Sequence, residues 1–383
     1  MNSYEVKAIP VSSHFDKPVY LDRKYILAAP EMPFNKALIG LLTDWDFSDV
    51  YSDGEPSKKY SSSPGSKENA QAGPAEAVVA GPVAPGAENL QNAQKFYVSF
   101  EKYVRALFDR FSTRNTLDFG FLVGNFKVIL DAIRKDYRAL LQVQPHAPAK
   151  DDDYLVYHTM HTTIIAIVIG DAMQFSDQWL TELGIASLLH EIGMLRLPPE
   201  SYLGKRELTT EERKLIYIHP IIGHNFLKSF DFPPAVSRAV LEHHERENGS
   251  GYPKQKTGDN IHQYSKIIAV ACSYAALSAD RPHREAIDSH TGIMELLKNA
   301  GRQYSDKIVR TLVSRLSVFP IGLYVMLSDG KKGRVVDINP KKPYYPVVQI
   351  LGEQNPDGSI VTLKTSEDGV SIARALTPKE AEG

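Results

Sequence analysis

The chain has 383 residues, 43% hydrophobic and 23% charged, with a formal net charge of −2 at pH 7. That length suits two or three domains, and the near-neutral balance excludes a field steering the whole molecule to nucleic acid or an anionic membrane. A single cysteine, Cys272, excludes an intrachain disulfide and fits a reducing compartment. The longest apolar run, Ile164 to Gly170, is too short to cross a bilayer, and the opening M-N-S-Y-E-V-K has no signal-peptide pattern. The expectation is a cytoplasmic protein without nucleic-acid or membrane partners.

Residues 1–53 read as a small α+β unit. Val19-Tyr20-Leu21 and Tyr25-Ile26-Leu27 are strand-like, Asn35 to Leu42 is a short helix, and Asp49-Val50-Tyr51 is a further strand. Residues 54–92 are rich in Pro, Gly, Ser, Ala, Lys and Glu and bury too little to offset ordering entropy, so they read as a flexible linker. Residues 93–149 read as a hairpin of two amphipathic helices, with Phe96, Phe100, Tyr103 and Leu107 on one and Phe126, Leu130, Ile133, Tyr137 and Leu140 on the other. Such a hairpin packs on a core, forms a homodimer seam, or relays a signal to a protein partner. Amphipathicity favours the first.

Residues 150–316 read as a helical core. Helices are expected at Tyr154–Asp171, Asp177–Leu189, from Thr209-Thr210-Glu211-Glu212 onward, Pro234–His244, Tyr264–Ala279 and from Asp288. Residues 317–383 switch to period two. Strands at 324–327, 334–338, 346–351 and 359–363, with turns at Asp329-Gly330 and Asp357-Gly358, make a small antiparallel β appendage and tail. Its lysines at 331, 332, 341 and 342 read as guards of a solvated edge rather than phosphate contacts. The fold class is mainly α.

His158, His190-Glu191, His219 and His243-His244 each fall near the edge of an expected helix, beside apolar residues that hold them inward. A lone histidine on an apolar face is usually a satisfied core residue. A set with one carboxylate alongside and two imidazoles in tandem instead matches the ligands of Zn, Fe or Mn. The donors exceed what one four-coordinate ion takes. They suit two ions sharing a bridging carboxylate, a site that activates a bridging water and stabilises both oxygens of a phosphoryl displacement.

His190-Glu191-Ile192-Gly193, His219-Pro220-Ile221-Ile222-Gly223, His243-His244-Glu245-Arg246 and Gly249-Ser250-Gly251-Tyr252-Pro253 resemble the HD-GYP branch of the HD phosphohydrolase superfamily. The steps fit too, at 32 positions from His158 to His190, 29 to His219 and 24 to His243. The resemblance covers roughly residues 150 to 360 and implies an HD-type helical bundle. It implies hydrolysis of the bacterial second messenger cyclic di-GMP to pGpG or GMP at two divalent ions, iron or manganese, with zinc as an alternative. The ligands it implies are His158, His190, Glu191, His219, His243 and His244, with Glu191 bridging. Gly249 and Gly251 would let the Tyr252 loop lie close, and Arg281 in R-P-H-R matches a phosphate-facing arginine. Glu191, Tyr252 and Arg281 are the expected catalytic residues.

The chain departs from the branch at several points. H-D is H-E at Glu191, the following lysine is Met194, and Asn248 precedes the loop where the branch has aspartate. Cys272 stands at a ligand aspartate, Ala275 at a second, and Tyr154 where trinuclear members have glutamate, which argues against a third ion. Arg196 is a nearby substitute for the lost lysine. Cys272 reads either as a thiolate ligand, which favours zinc or iron over manganese, or as a buried neutral thiol. Glu242, Glu245 and Arg246 read as groups orienting the imidazoles or as a solvated helix end. Tyr252 either stacks on guanine or closes its loop. His161, His146, His262, His283 and His290 read as core or surface residues. The altered positions leave an alternative to an enzyme, a module that binds cyclic di-GMP or a protein partner without turnover.

Overall fold

The computed structural model describes residues 1–17, 19–20, 26–28, 34, 36–44, 48–57, 87–142, 154–199, 209–278, 289–339, 341–355, 359–377 and 380–381. Most of the expected linker, the Asp357-Gly358 turn, His146, His283 and Arg281 lie outside them.

In the N-terminal unit, strands β1 (Asn2–Glu5), β3 (Val19–Tyr20), β4 (Ile26–Ala28) and β5 (Asp49–Ser52) form one sheet in the order β1-β5-β3-β4. A two-stranded ribbon, β2 (His14–Phe15) with β6 (Pro56–Ser57), and helix α1 (Lys36–Asp44) complete it. Phe15 is its centre, meeting Tyr4 edge-on at 5.0 Å and Phe34 at 5.4 Å. Strand β1 is absent from the sequence reading because N-S-Y-E has no apolar alternation and lies on the sheet's edge.

Helices α2 (Ala87–Arg114) and α3 (Phe119–Gln142) form the expected hairpin. Helix α2 starts inside the stretch read as linker, because its first turns carry one large apolar residue, Leu90, and that one is exposed. The hairpin lies on the bundle as a packing layer. Tyr97 donates to Leu140 O at 2.9 Å, and Arg134 pairs with Asp171 at 3.0 Å and Asp177 at 2.7 Å. Phe111 meets Phe226 edge-on at 5.1 Å.

The bundle is centred on α4 (Tyr154–Ala172), flanked by α5 (Asp177–Leu189) and α9 (Gln263–Ser278). Helix α4 is long and apolar enough by length and composition to cross a membrane, more so than its Ile164–Gly170 run indicates. However, 78% of that span is buried inside the protein, and a helix apolar on every side belongs in a core. Around it stand α6 (Thr210–Tyr217), α7 (His219–Ser229), α8 (Pro234–Glu242), α10 (Ser289–Lys298) and α11 (Asp306–Leu316). Local signals set the starts. Ser176 caps α5 through Trp179 N, and Thr209 with Glu212 makes a reciprocal capping box for α6. Proline occupies the first turn of α7 and α8. The single helix expected from Asp288 is two, broken where Gly301 takes φ +71°.

The C-terminal sheet has five antiparallel strands, one more than the sequence suggested. They are β7 (Tyr324–Leu327), β8 (Lys332–Asp337), β9 (Val347–Gln354), β10 (Ile360–Lys364) and β11 (Ile372–Leu376), in the order β10-β9-β8-β7-β11. Val325, Leu327, Val335, Val348 and Ile350 form a small core of its own. Lys331 of the β7–β8 turn pairs with Glu353 at 2.8 Å.

Phe126 of α3, fully buried, sits over Gly184 of α5 and joins hairpin to bundle. Phe126→Ala should lower unfolding free energy by about 3–5 kcal/mol. Phe121→Ala, on the half-open side of the same helix, should change it by less than about 0.5 kcal/mol. Denaturant titration of both variants checks this.

Candidate metal centre

The expected ligands converge from five places in the chain. His158 faces inward from α4, and His190 caps the C-terminus of α5. Glu191 follows at φ −97°, ψ 8°, between α5 and a 3₁₀ turn at Ile192–Arg196. His219 opens α7, His243 and His244 close α8, and Cys272 comes from α9. Gly193 makes this possible. A Cβ there would strike His219 O and lie 2.9 Å from Gly223 N, so only glycine lets the turn seat on α7 and bring Glu191 to His219.

The donors fall into two sets that share Glu191. One is His158, His190, Glu191 and Cys272; the other is Glu191, His219, His243 and His244. Within each, the ligand atoms all lie within 4.8 Å of one another. Glu191 Oε1 is 3.7 Å from both His158 Nε2 and His190 Nε2, while Oε2 is 3.2 Å from His219 Nε2. One oxygen thus serves each set. Cys272 Sγ lies 3.4 Å from His158 Nε2, and Tyr154 stacks on His158 with rings 14° apart.

Three rings have their tautomer set by the backbone. Nδ1–H donates to Ser187 O from His190 at 2.7 Å, to Ile216 O from His219 at 2.6 Å and to Val240 O from His243 at 2.7 Å. A carbonyl only accepts, so each Nε2 keeps a lone pair aimed at the centre. His219 Nε2 and His243 Nε2 are 3.2 Å apart, and two lone pairs cannot hydrogen-bond each other. His190 Nε2 is buried without a hydrogen-bond partner. Protonation is resisted as well. Burial lowers the pKa of His190, pulls His219 down to about 4, and with the neighbouring rings pushes His243 and His244 well below the usual imidazole range. Crowded neutral imidazoles around a carboxylate, with lone pairs facing one another, fit a metal cation and fit little else.

The G-S-G-Y-P loop closes over this centre. Gly251 passes so near the α8 terminus that a Cβ would strike His244 O and lie 2.5 Å from Arg246 N. Glu245 holds the loop, accepting from Lys254 N at 2.7 Å and Lys256 N at 2.9 Å. Glu242 accepts from Lys256 Nζ at 2.6 Å, Arg238 Nε at 2.8 Å and His262 N at 2.8 Å. Burial opposes ionisation of Glu242, but these donors outweigh it and keep its pKa below normal. Both acids therefore fasten the loop and the start of α9, rather than orienting imidazoles or ending a solvated helix. Arg246 lies over the Tyr304 ring at 5.0 Å.

Two further expectations change. Arg196 does not replace the lost lysine. It donates to Asn115 Oδ1 at 2.5 Å and lies over Phe111 and Phe226, directed into the hairpin contact. Tyr252 has both faces covered, by His244 at 4.5 Å and Tyr217 at 4.3 Å. Burial, with Glu191 and Cys272 nearby, raises its pKa well above normal, so its hydroxyl stays protonated. Tyr217 escaped the sequence reading because no spacing rule shows that a loop 35 positions later folds back onto it.

Residues 143–309 match the family model described as HD domain, and residues 324–383 match one described as KOW domain associated with HD domain. Over residues 143–309, then, the chain carries a segment that matches an HD domain. Its H-H-E-R and G-S-G-Y-P strings, which resemble those of the HD-GYP branch, lie inside that matched segment. Among curated relatives of this HD-domain chain is the cyclic di-GMP phosphodiesterase PdeB of Borreliella burgdorferi, 29% identical over 61% of the chain and 63% of that protein. A cyclic di-GMP phosphodiesterase of Pseudomonas aeruginosa is 27% identical over 52% of the chain and 48% of its own length. The chain thus spans about half to three-fifths of these relatives. A solved HDGYP protein from Bdellovibrio bacteriovorus aligns with TM-score 0.46 and 15% identity, over 81% of this chain and 97% of that one.

His161, one turn beyond His158, turns to the Tyr97 ring at 5.7 Å and joins neither donor set. Its Nε2 is closed off without a hydrogen-bond partner, and burial lowers its pKa to about 4. Between pH 4 and 6.5 the unfolded chain binds a proton here that the folded chain refuses, so stability falls as pH falls through that window. His161→Phe should flatten the pH dependence of unfolding free energy by up to about 1.4 kcal/mol per pH unit there. Denaturant titrations at pH 7 and pH 5 check the slope.

Proposed function

We propose that this HD domain is a metal-dependent phosphodiesterase that hydrolyses cyclic di-GMP to pGpG or GMP in bacterial second-messenger signalling in the cytoplasm. The observation that carries the reading is the pair of buried donor sets meeting at Glu191 beneath the Tyr252 loop. The names of the relatives support the substrate. His158, His190 and Cys272 would hold one divalent ion, His219, His243 and His244 a second, and Glu191 both. Two such ions, iron or manganese in the first instance, supply a water-derived nucleophile and neutralise charge on the phosphoryl oxygens.

The chain's own groups do the rest. The backbone carbonyls of Ser187, Ile216 and Val240 fix the ligand rings in their donating orientation before any ion arrives, which spares reorganisation during the reaction. The loop excludes water from one side of the centre. The Tyr252 hydroxyl, whose pKa burial raises with Glu191 and Cys272 nearby, would donate a hydrogen bond to a phosphoryl or leaving oxygen. Arg281 is assigned to the substrate phosphate on motif grounds alone.

Purified protein given Fe(II) or Mn(II) without oxygen should cleave cyclic di-GMP, and Glu191→Gln should reduce kcat by more than about 100-fold, beyond the loss typical of groups that merely support a ligand. An intact fold that leaves cyclic di-GMP uncleaved under every ion contradicts the reading. Cys272 is expected to bind as thiolate, since a coordinating thiol loses its proton outright. Protein loaded with Co(II) should then show a near-ultraviolet sulfur-to-cobalt charge-transfer band that Cys272→Ser abolishes. A spectrum unchanged by the substitution would make Cys272 a space-filling thiol.

A further inference from the structure

We propose that Tyr217 is the surface on which a nucleobase of the substrate stacks, making it a specificity-determining residue of the site; this rests on the phosphodiesterase reading above. Three rings form a ladder leading outward from the metal centre. His244 carries a ligand nitrogen of the second donor set, Tyr252 stacks on it at 4.5 Å with 21° between planes, and Tyr217 stacks on Tyr252 at 4.3 Å with 20°. Exposure rises along the ladder. His244 and Tyr252 are partly covered, and Tyr217 is 42% exposed.

The ladder decides between two tyrosines. A base could reach a face of Tyr252 only by displacing His244, which would break the donor set, or Tyr217, which would forfeit an existing stack. Tyr217 needs no such displacement, because one face lies on Tyr252 and much of the residue is open. A single exposed aromatic is ordinary on a protein surface. This one differs because it continues a stack that begins at a ligand ring and because its place is tied to the centre. It is the last residue of α6, Ile218 behind it is buried, and His219 of the donor set follows. A partly exposed aromatic ring beside a phosphate-processing centre is a feature that holds nucleobases, and purines offer it the larger partner. Lys214 stands three residues earlier on the same side of the helix as Tyr217. In a cyclic dinucleotide gripped at one phosphate, the base reaching furthest outward would meet Tyr217.

The test uses full-length, metal-loaded protein and the variants Tyr217→Ala and Tyr217→Phe. For cyclic di-GMP, Tyr217→Ala should raise KM roughly tenfold, in the range of one lost base–aromatic stack, with kcat within about twofold. Tyr217→Phe should keep both values near wild type, and metal content should be unchanged in both variants. GMP binding by calorimetry, which needs no turnover, should weaken by a similar factor in Tyr217→Ala, and CMP binding by less. The inference is overturned by an unchanged KM and GMP affinity. It is also overturned by a fall in kcat at constant KM, which would make Tyr217 a support for Tyr252 only. Wild-type protein that binds GMP through Tyr217 yet cleaves no cyclic di-GMP would defeat the phosphodiesterase reading and leave the stacking surface standing.

Discussion

Everything in this molecule answers to one unfavourable arrangement: neutral imidazole lone pairs packed around a nearly buried carboxylate. His219 Nε2 and His243 Nε2 face each other at 3.2 Å, and Glu191 Oε2 faces His219 Nε2 at the same separation. None of these contacts is attractive when both rings carry their proton on Nδ1, as the carbonyls of Ile216 and Val240 require. Burial blocks the simplest relief, which is to protonate a ring. The bundle must therefore hold the cluster by force of packing. The largely buried helix Tyr154–Ala172 and the glycine contact between Gly193 and the start of His219–Ser229 are how it does so. A cation converts each repulsion into coordination, so folding energy is stored as preorganisation of a metal site.

The next layer outward is devoted to one loop. Glu242 and Glu245 flank the tandem histidines and are both buried, a costly placement for acids unless each is fully used. Each is. Glu245 takes two backbone N–H groups of the loop, and Glu242 takes Lys256, Arg238 and His262 N. The H-H-E-R string thus encodes the ligands and the clamp for the segment that covers them. The same clamp holds Tyr252 flat on His244, linking the position of a ligand ring to the shape of the entrance.

Much of this was legible beforehand because it is local. The helical periods, the N-cap at the start of Thr210–Tyr217 and the inward histidines depend on residues within a few turns of one another, and the structure places them as expected. The joining of His158 to Cys272 across 114 positions came from resemblance, not from pattern. What escaped depends on direction or on distant partners. Arg196 sits near the centre in sequence, but its chain leaves the other way because two aromatic faces and Asn115 attract it. Strand Ile372–Leu376 looked like tail because its pairing partner lies 48 positions earlier, at Tyr324–Leu327. Tyr217 carries no motif, and its importance exists only once the loop has folded back.

Metal stoichiometry tests the central claim most directly, because a shared carboxylate makes the two donor sets interdependent. Elemental analysis of protein reconstituted and washed without oxygen should give two ions per chain for wild type. His219→Ala, which touches one set, should retain close to one ion, and Glu191→Ala, which touches both, should retain less than one. Two ions bound in Glu191→Ala, or fewer than one in the intact wild-type protein, would contradict a centre organised around Glu191.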